Sequence, residues 1–234
     1  MFSLYGSKSK FIKKYPAPLY SDVVEPFAGS ARYALEYWDR DVILCEIDPK
    51  IYEVWKYLQS TKPKDIISLP NVPNATVLES INGFSQLSDG EKWLIGFCCN
   101  GGSAQPKNVS GRHNFNSWNK DKLRIAKSIY KIQHWTILNE SYEELDIKFP
   151  ATYFIDPPYQ KKGKWYKHNN IDYSYLAGWC KTRVGNVIVC ENDGADWLPF
   201  EHLTDVPFTH FKTQEDLTRK TKEVVWYNEL PLDK

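Results

Sequence analysis

The 234-residue sequence contains no apolar run approaching 18 residues, so no membrane-spanning helix is expected. No apolar stretch follows the opening Met1 to Gly6, so no signal peptide is expected either. The five cysteines (Cys45, Cys98, Cys99, Cys180 and Cys190) include no Cys-x-x-Cys, and the five histidines form no ligand-spaced pair. That spacing argues against a structural metal and for a reduced, cytoplasmic protein. Neither Gly-x-x-x-x-Gly-Lys nor Gly-x-Gly-x-x-Gly occurs, which argues against a phosphate loop and against a dinucleotide fingerprint. Internal repeats and low-complexity tracts are absent. An excess of one charge is also missing: 30 Lys and Arg stand against 29 Asp and Glu, a net charge of +1. At face value this excludes a uniformly basic nucleic-acid binder.

What is present is an ordinary globular composition, 42% hydrophobic and 25% charged, long enough to bury a core. Aromatic residues reach 15%, including nine Trp, a supply that serves a core or rings that stack on bases. Short apolar runs predict buried strands over 22–27, 41–46, 135–138, 151–156 and 186–191. Helices are expected over 30–38, 51–59 and 173–181. This alternation predicts an α/β doubly wound sheet, with 208–212 and 223–227 as an antiparallel pair at one edge. The stretch 60–131, with a helix over 123–130, breaks the alternation. It reads as an insertion into a domain formed by 1–59 and 132–234, not as a separately folding unit.

Three features fall at expected strand ends, where ligands bind in open α/β sheets. Glu25-Pro26-Phe27-Ala28-Gly29-Ser30-Ala31 is a tight strand-to-helix turn whose backbone amides suit a carboxylate. Glu46, followed by Ile47, is placed to accept both hydroxyls of a ribose. Asp48 precedes Pro49 and reads as a helix cap, with a ligand contact as the alternative. Asp156-Pro157-Pro158-Tyr159 ends the fourth strand. Its prolines stop the strand and stiffen the backbone. That leaves the Asp156 carboxylate and the Pro157 carbonyl as acceptors for an exocyclic amine, with the Tyr159 ring beside a planar base. These features suit a nucleoside without pyrophosphate, such as S-adenosylmethionine.

Asp156-Pro157-Pro158-Tyr159 resembles the catalytic motif of adenine-N6 DNA methyltransferases, and 25–31 resembles their cofactor loop. Tyr5-Gly6-Ser7-Lys8 resembles the opening motif of the Dam-like branch, which has the same motif order. The runs 179–200 and 222–228 are similar to a phage-type subgroup. The resemblance implies a class I methyltransferase fold, Rossmann-like, with an inserted recognition region. It implies methyl transfer from S-adenosylmethionine to a flipped-out adenine of double-stranded DNA, leaving S-adenosylhomocysteine, in a host cytoplasm if phage-encoded. Catalysis falls to Asp156, Pro157, Pro158 and Tyr159. Cofactor binding falls to Tyr5, Gly6, Lys8, Glu25, Pro26, Phe27, Ala28, Gly29, Ser30, Glu46, Ile47 and Asp156. No metal is needed, and a monomer is expected, with a dimer as the alternative. N4-cytosine or RNA adenine methylation on the same scaffold, and a DNA-binding protein without catalysis, stay open. Two positions depart from the family. Ala31 stands where Gly is usual, a change that is tolerated if φ there is negative. Ser141, beside Glu140, stands where an Asp usually meets the cofactor's adenine.

The near-zero net charge conceals a segregation. Segments 1–14, 107–131 and 160–168 hold 15 Lys and Arg against one acid, while the other 186 residues hold 15 bases and 28 acids. A basic face for DNA is therefore expected. Its candidates are Lys8, Arg112, Asn114, Asn116, Trp118, Lys120, Lys122, Arg124, Lys161, Lys162 and Lys164. The Asn side chains suit adenine edges.

Overall fold

The computed structural model describes residues 1–2, 4, 8, 11–72, 79–80, 83–100, 108–109, 115–161, 163, 166–207 and 220–228. Tyr5, Gly6, Ser7, Arg112, Asn114, Lys162, Lys164 and the expected strand 208–212 lie outside them.

The elements in chain order are β1 (Asp22–Glu25), α1 (Arg32–Glu36), β2 (Asp41–Cys45), α2 (Pro49–Ser60) and α3 (Pro63–Ser68). Then come β3 (Glu79–Ser80), α4 (Asp89–Cys99), β4 (Asn108–Val109), α5 (Phe115–Ala126) and β5 (Thr136–Leu138). The chain continues through β6 (Ala151–Ile155), α6 (Tyr173–Lys181), β7 (Gly185–Asn192), β8 (Glu201–Pro207) and β9 (Lys220–Tyr227).

Seven strands form one sheet in the order β5-β2-β1-β6-β7-β9-β8. The first five are mutually parallel, and β9 runs antiparallel between β7 and β8. The five parallel strands match the expected runs because their apolar residues are buried on both faces. Val23, Leu44, Phe154, Ile188 and Val225 join the helices of one layer, whereas Val24, Tyr153, Ile155 and Val187 face α6 in the other. The antiparallel edge pair is present, but the partner of β9 begins at Glu201, directly after Phe200.

Two helices differ from their expected spans. α1 is only five residues, because Ala31 at its start is left-handed and Tyr37 leaves helical geometry. α5 begins at Phe115, eight residues before the expected start, and gives way to a 3-10 turn at Ile129–Ile132. Its buried face (Trp118, Ile125, Ala126) recurs at helical spacing and continues into that turn through Ile129.

The stretch between β2 and β5 docks on the sheet layer. Ile66, Leu94, Ile95, Phe97, Trp118 and Ile125 belong to the same buried cluster as Val23 and Leu44. α4 crosses α2 at Gly90, where a side chain would collide with Tyr57 and the Glu53 carbonyl.

Strand order reverses between β1 and β6, so the polypeptide leaves their carboxyl ends in opposite directions along the sheet. The crevice opened there is the place where this architecture binds ligands. Among the described residues no helix is long and apolar enough to cross a membrane.

Candidate active site at the sheet switch point

A cavity of about 330 Å³ lies over the carboxyl ends of β1, β2, β5 and β6. Its walls are the turn 25–32, residues 46–48, residues 140–143, Asp156, Pro158 and the segment 166–171 before α6, with Leu4 and Lys8 from the amino-terminal segment. The sheet therefore brings together Lys8, Glu25, Pro26, Phe27, Ala28, Gly29, Ser30, Glu46, Ile47 and Asp156, residues widely separated in sequence.

The turn after β1 is fixed by two buried carboxylates. Glu25 accepts the Ala34 amide at 2.6 Å and so bridges the strand end to the first turn of α1. Glu46 accepts the amides of Gly29 and Asp48, each at 2.9 Å. The Trp55 indole donates to the Gly29 carbonyl at 2.9 Å. Burial pushes the Glu25 carboxyl up to about 8 and the Glu46 carboxyl up to about 7, against the opposing pull of these amides. Gly29 has a φ of 47°, which suits glycine. Ala31 has a φ of 45°, so the condition under which Ala is tolerated there is not met: the close turn holds a left-handed residue. The expectation that the helix-start amides meet a ligand carboxylate also changes. The Gly29, Ala31 and Ala34 amides bond to Glu46, the Ala28 carbonyl and Glu25.

Asp48 caps α2 by accepting the Lys50 amide at 3.0 Å, and it also lines the cavity. Ser141 lines the cavity too, while its amide and hydroxyl bond to Glu144 and Glu143. Beside it, the rings of Phe27 and Tyr142 stand 5.0 Å apart and make an aromatic wall. Ile47 is 45% exposed at the cavity, a large apolar side chain open to a planar ligand.

At the end of β6, Asp156 receives the Lys8 ammonium at 2.7 Å. The same ammonium lies 3.1 Å from Glu223 of β9 and donates to the Tyr159 hydroxyl. Tyr159 in turn donates to Glu223 at 2.5 Å, and Tyr15 donates to the same carboxylate oxygen at 2.8 Å. Burial disfavours the Lys8 charge, but Asp156 and Glu223 outweigh it and hold the ammonium above its usual range. Burial raises the Asp156 carboxyl, with Lys8 pulling the other way. Glu223 is buried, whereas the Asp156 side chain is 28% exposed. Pro157 is buried, and the Pro158 carbonyl accepts the Tyr173 hydroxyl at 2.6 Å. Glu191, at the end of β7, accepts the Gln160 amide at 3.0 Å and the Trp197 indole at 3.1 Å. The loop after Tyr159 is thereby tied to the neighbouring strand.

Glu223, Tyr15, Tyr173 and Glu191 were not among the sequence candidates. The available signal was acid in apolar strands: Glu191 follows Val187 to Cys190, and Glu223 precedes Val224 and Val225. Such acids need partners.

The candidates for DNA contact divide. Lys120 and Lys161 are exposed, and Arg124 is half-exposed while bonding to Asp121 and the Met1 carbonyl. Trp118 and Lys122 are corrected to structural residues, because both are buried. The Trp118 indole donates to the Pro70 carbonyl, and Lys122 donates to the Leu69 carbonyl and Asn71, each at 2.9 Å. Asn116 lies within α5. All five cysteines are buried and unpaired, and no cluster of metal-ligating side chains occurs among the described residues.

The cavity lining carries six acidic side chains (Glu25, Glu46, Asp48, Glu140, Glu143, Asp156) against Lys8, Arg32 and Lys167. Burial leaves Glu25 neutral at pH 7 and Glu46 only partly charged, yet the remaining acids still outnumber the bases, so the cavity favours a cation over a phosphate-bearing ligand. No protein-family model matches the chain, and no curated protein matches it.

Two outcomes follow from the β1 turn. A left-handed Ala costs about 1–2 kcal/mol, and glycine's freedom in the unfolded chain returns about half of that. Ala31→Gly is therefore expected to stabilise by up to about 1 kcal/mol and raise the melting temperature by about 2–4 °C; a lower melting temperature contradicts the left-handed turn. For Glu25, a folded pKa of about 8 against the usual 4.5 means a contribution fully present below pH 4.5 and lost as pH rises through 8. Glu25→Gln should gain stability relative to wild type between pH 5 and 8.5 in denaturant titrations. A pH-independent difference contradicts the buried, raised carboxyl.

Proposed function

We propose that the chain is an adenine-N6 DNA methyltransferase with a class I, Rossmann-like catalytic domain that uses S-adenosylmethionine. The observation that carries this reading is Asp156 at the switch point, opening onto an electronegative cavity and followed by Pro157, Pro158 and Tyr159.

The residues present fit the cofactor. The cavity has the size of a small-molecule site, where about 300–1,000 Å³ is usual, and its acidic lining suits a sulfonium. Glu46 would hold the ribose hydroxyls with the lone pairs left by its two amide bonds. Phe27, Ile47 and Tyr142 offer apolar surface to the adenine. When bound, S-adenosylmethionine supplies an activated methyl group.

The remaining work falls to side chains. The exocyclic amine of adenine is a poor nucleophile, because its lone pair is delocalised into the ring. The Asp156 carboxylate and the Pro157 carbonyl would accept its two N–H groups and favour a pyramidal nitrogen. Fixed acceptors stabilise charge as it develops on that nitrogen without reorganising. The amine must shed a proton after alkylation, and Asp156, made more basic by burial, would take it on its carboxylate. Lys8 keeps Asp156 oriented, and Tyr159, held at its hydroxyl, would stack on the base. A target atom inside a duplex cannot reach such a crevice, so the adenine would be flipped out. Lys120, Lys161 and Arg124 would meet the phosphates, giving binding that weakens with salt.

Incubation with methyl-labelled S-adenosylmethionine and duplex DNA should place label on adenine N6. Asp156→Ala should lower the rate by about 10²-fold or more while cofactor binding persists in calorimetry. Near-wild-type transfer by that variant contradicts the mechanism, and label on cytosine N4 or confined to RNA contradicts the substrate.

A further inference from the structure

Lys8 joins two carboxylates with different exposures. Asp156 opens to the cavity, whereas Glu223, on β9, is buried behind it. Glu223 does not line the cavity, and of its partners only Lys8 does. One of its oxygens receives Tyr15, Tyr159 and Lys8 together, at 2.8, 2.5 and 3.1 Å. The ionisable groups facing it are Lys8 and Tyr15 from the amino-terminal segment, Asp156 and Tyr159 from the end of β6, and Cys190 from β7.

This arrangement has a chemical consequence. A buried ammonium with one carboxylate partner spends its whole attraction on that partner and holds it toward the lysine. A second carboxylate divides the ammonium's donors. Lys8 can stay paired with Glu223 and the Tyr159 hydroxyl while Asp156 turns an oxygen to a donor in the cavity. The buried group has one cation for two carboxylates, so it retains a net negative charge beside the place where an amine would become cationic.

We infer that Glu223 is a positioning residue for the transfer site: by holding Lys8 and the Tyr159 hydroxyl, it leaves the Asp156 carboxylate available to a donor in the cavity. This inference rests on the methyltransferase reading for its consequence in catalysis, and on the ion-pair geometry alone for its coupling to Asp156.

Glu223→Gln keeps the shape and one acceptor oxygen but deletes the charge. Lys8 then commits to Asp156, and kcat should fall by about tenfold to a hundredfold with KM for S-adenosylmethionine unchanged. Losing a neighbouring negative charge also makes Asp156 easier to ionise, so the acid limb of the kcat–pH profile should move to lower pH. Glu223→Asp, which keeps the charge, should leave that limb in place. A carbon-13 titration of the Asp156 carboxylate, measured without cofactor or DNA, should show the same downward movement in Glu223→Gln. An unmoved titration in a folded Glu223→Gln protein overturns the inference, as does a kcat loss that melting curves account for in full. If the wild-type protein transfers no methyl group, the methyltransferase reading fails, and the carboxylate titration alone decides the Glu223–Asp156 coupling.

Discussion

The candidate site depends on one buried cation shared between two acids. Lys8 lies between Asp156 and Glu223, and this contact joins three parts of the chain: the amino-terminal segment, the end of β6 and the reversed strand β9. A buried ion pair at best offsets its own desolvation, so the pairing adds little net stability. What it supplies is position. Removing Lys8 leaves two carboxylates without their cation, and removing either acid commits Lys8 to the other, so the arrangement tolerates little drift. Of the two acids, Asp156 is the one that lines the cavity.

The other half of the cavity follows the same logic with backbone in place of lysine. Glu25 and Glu46 are buried acids whose partners are backbone amides, those of Ala34 in α1, Gly29 in the turn and Asp48 at the cap of α2. The turn is held closely enough to keep an Ala left-handed at position 31. Because these acids satisfy the protein first, they are fixed before any ligand arrives. A preset, electronegative, partly apolar crevice suits a cationic nucleoside better than a nucleotide phosphate.

The fold was legible where burial is symmetrical. The apolar runs 22–25, 41–45, 151–155 and 185–192 have no polar face to mislead, and Pro26 and Pro157 mark where two of them stop. Sequence pattern is weaker where tertiary contacts override it. Lys122 carries a charge and reads as surface, yet the end of the α3 segment offers it a carbonyl and an amide oxygen, and Trp118 is buried beside it. Nothing local to α5 discloses those acceptors, which are 51 and 53 residues away. The same holds at the site. Asp156 and Glu46 were readable from their strand ends, but Glu223 lies at the reversed strand, and only the sheet order sets it behind Lys8. The sign of φ at Ala31 was likewise invisible, since composition at a turn does not fix its hand.

The central claim is that this crevice is a cofactor site organised by Glu46 and Asp156. Its most direct test is a titration of the isotope-labelled wild-type protein with S-adenosylmethionine, followed by the backbone amide resonances of Gly29 and Asp48, which both donate to Glu46. The account predicts saturable shifts at these two amides and along 156–159, with the far end of the sheet unaffected. No saturable shift, or shifts confined to residues away from the carboxyl ends of β1, β2 and β6, would contradict it.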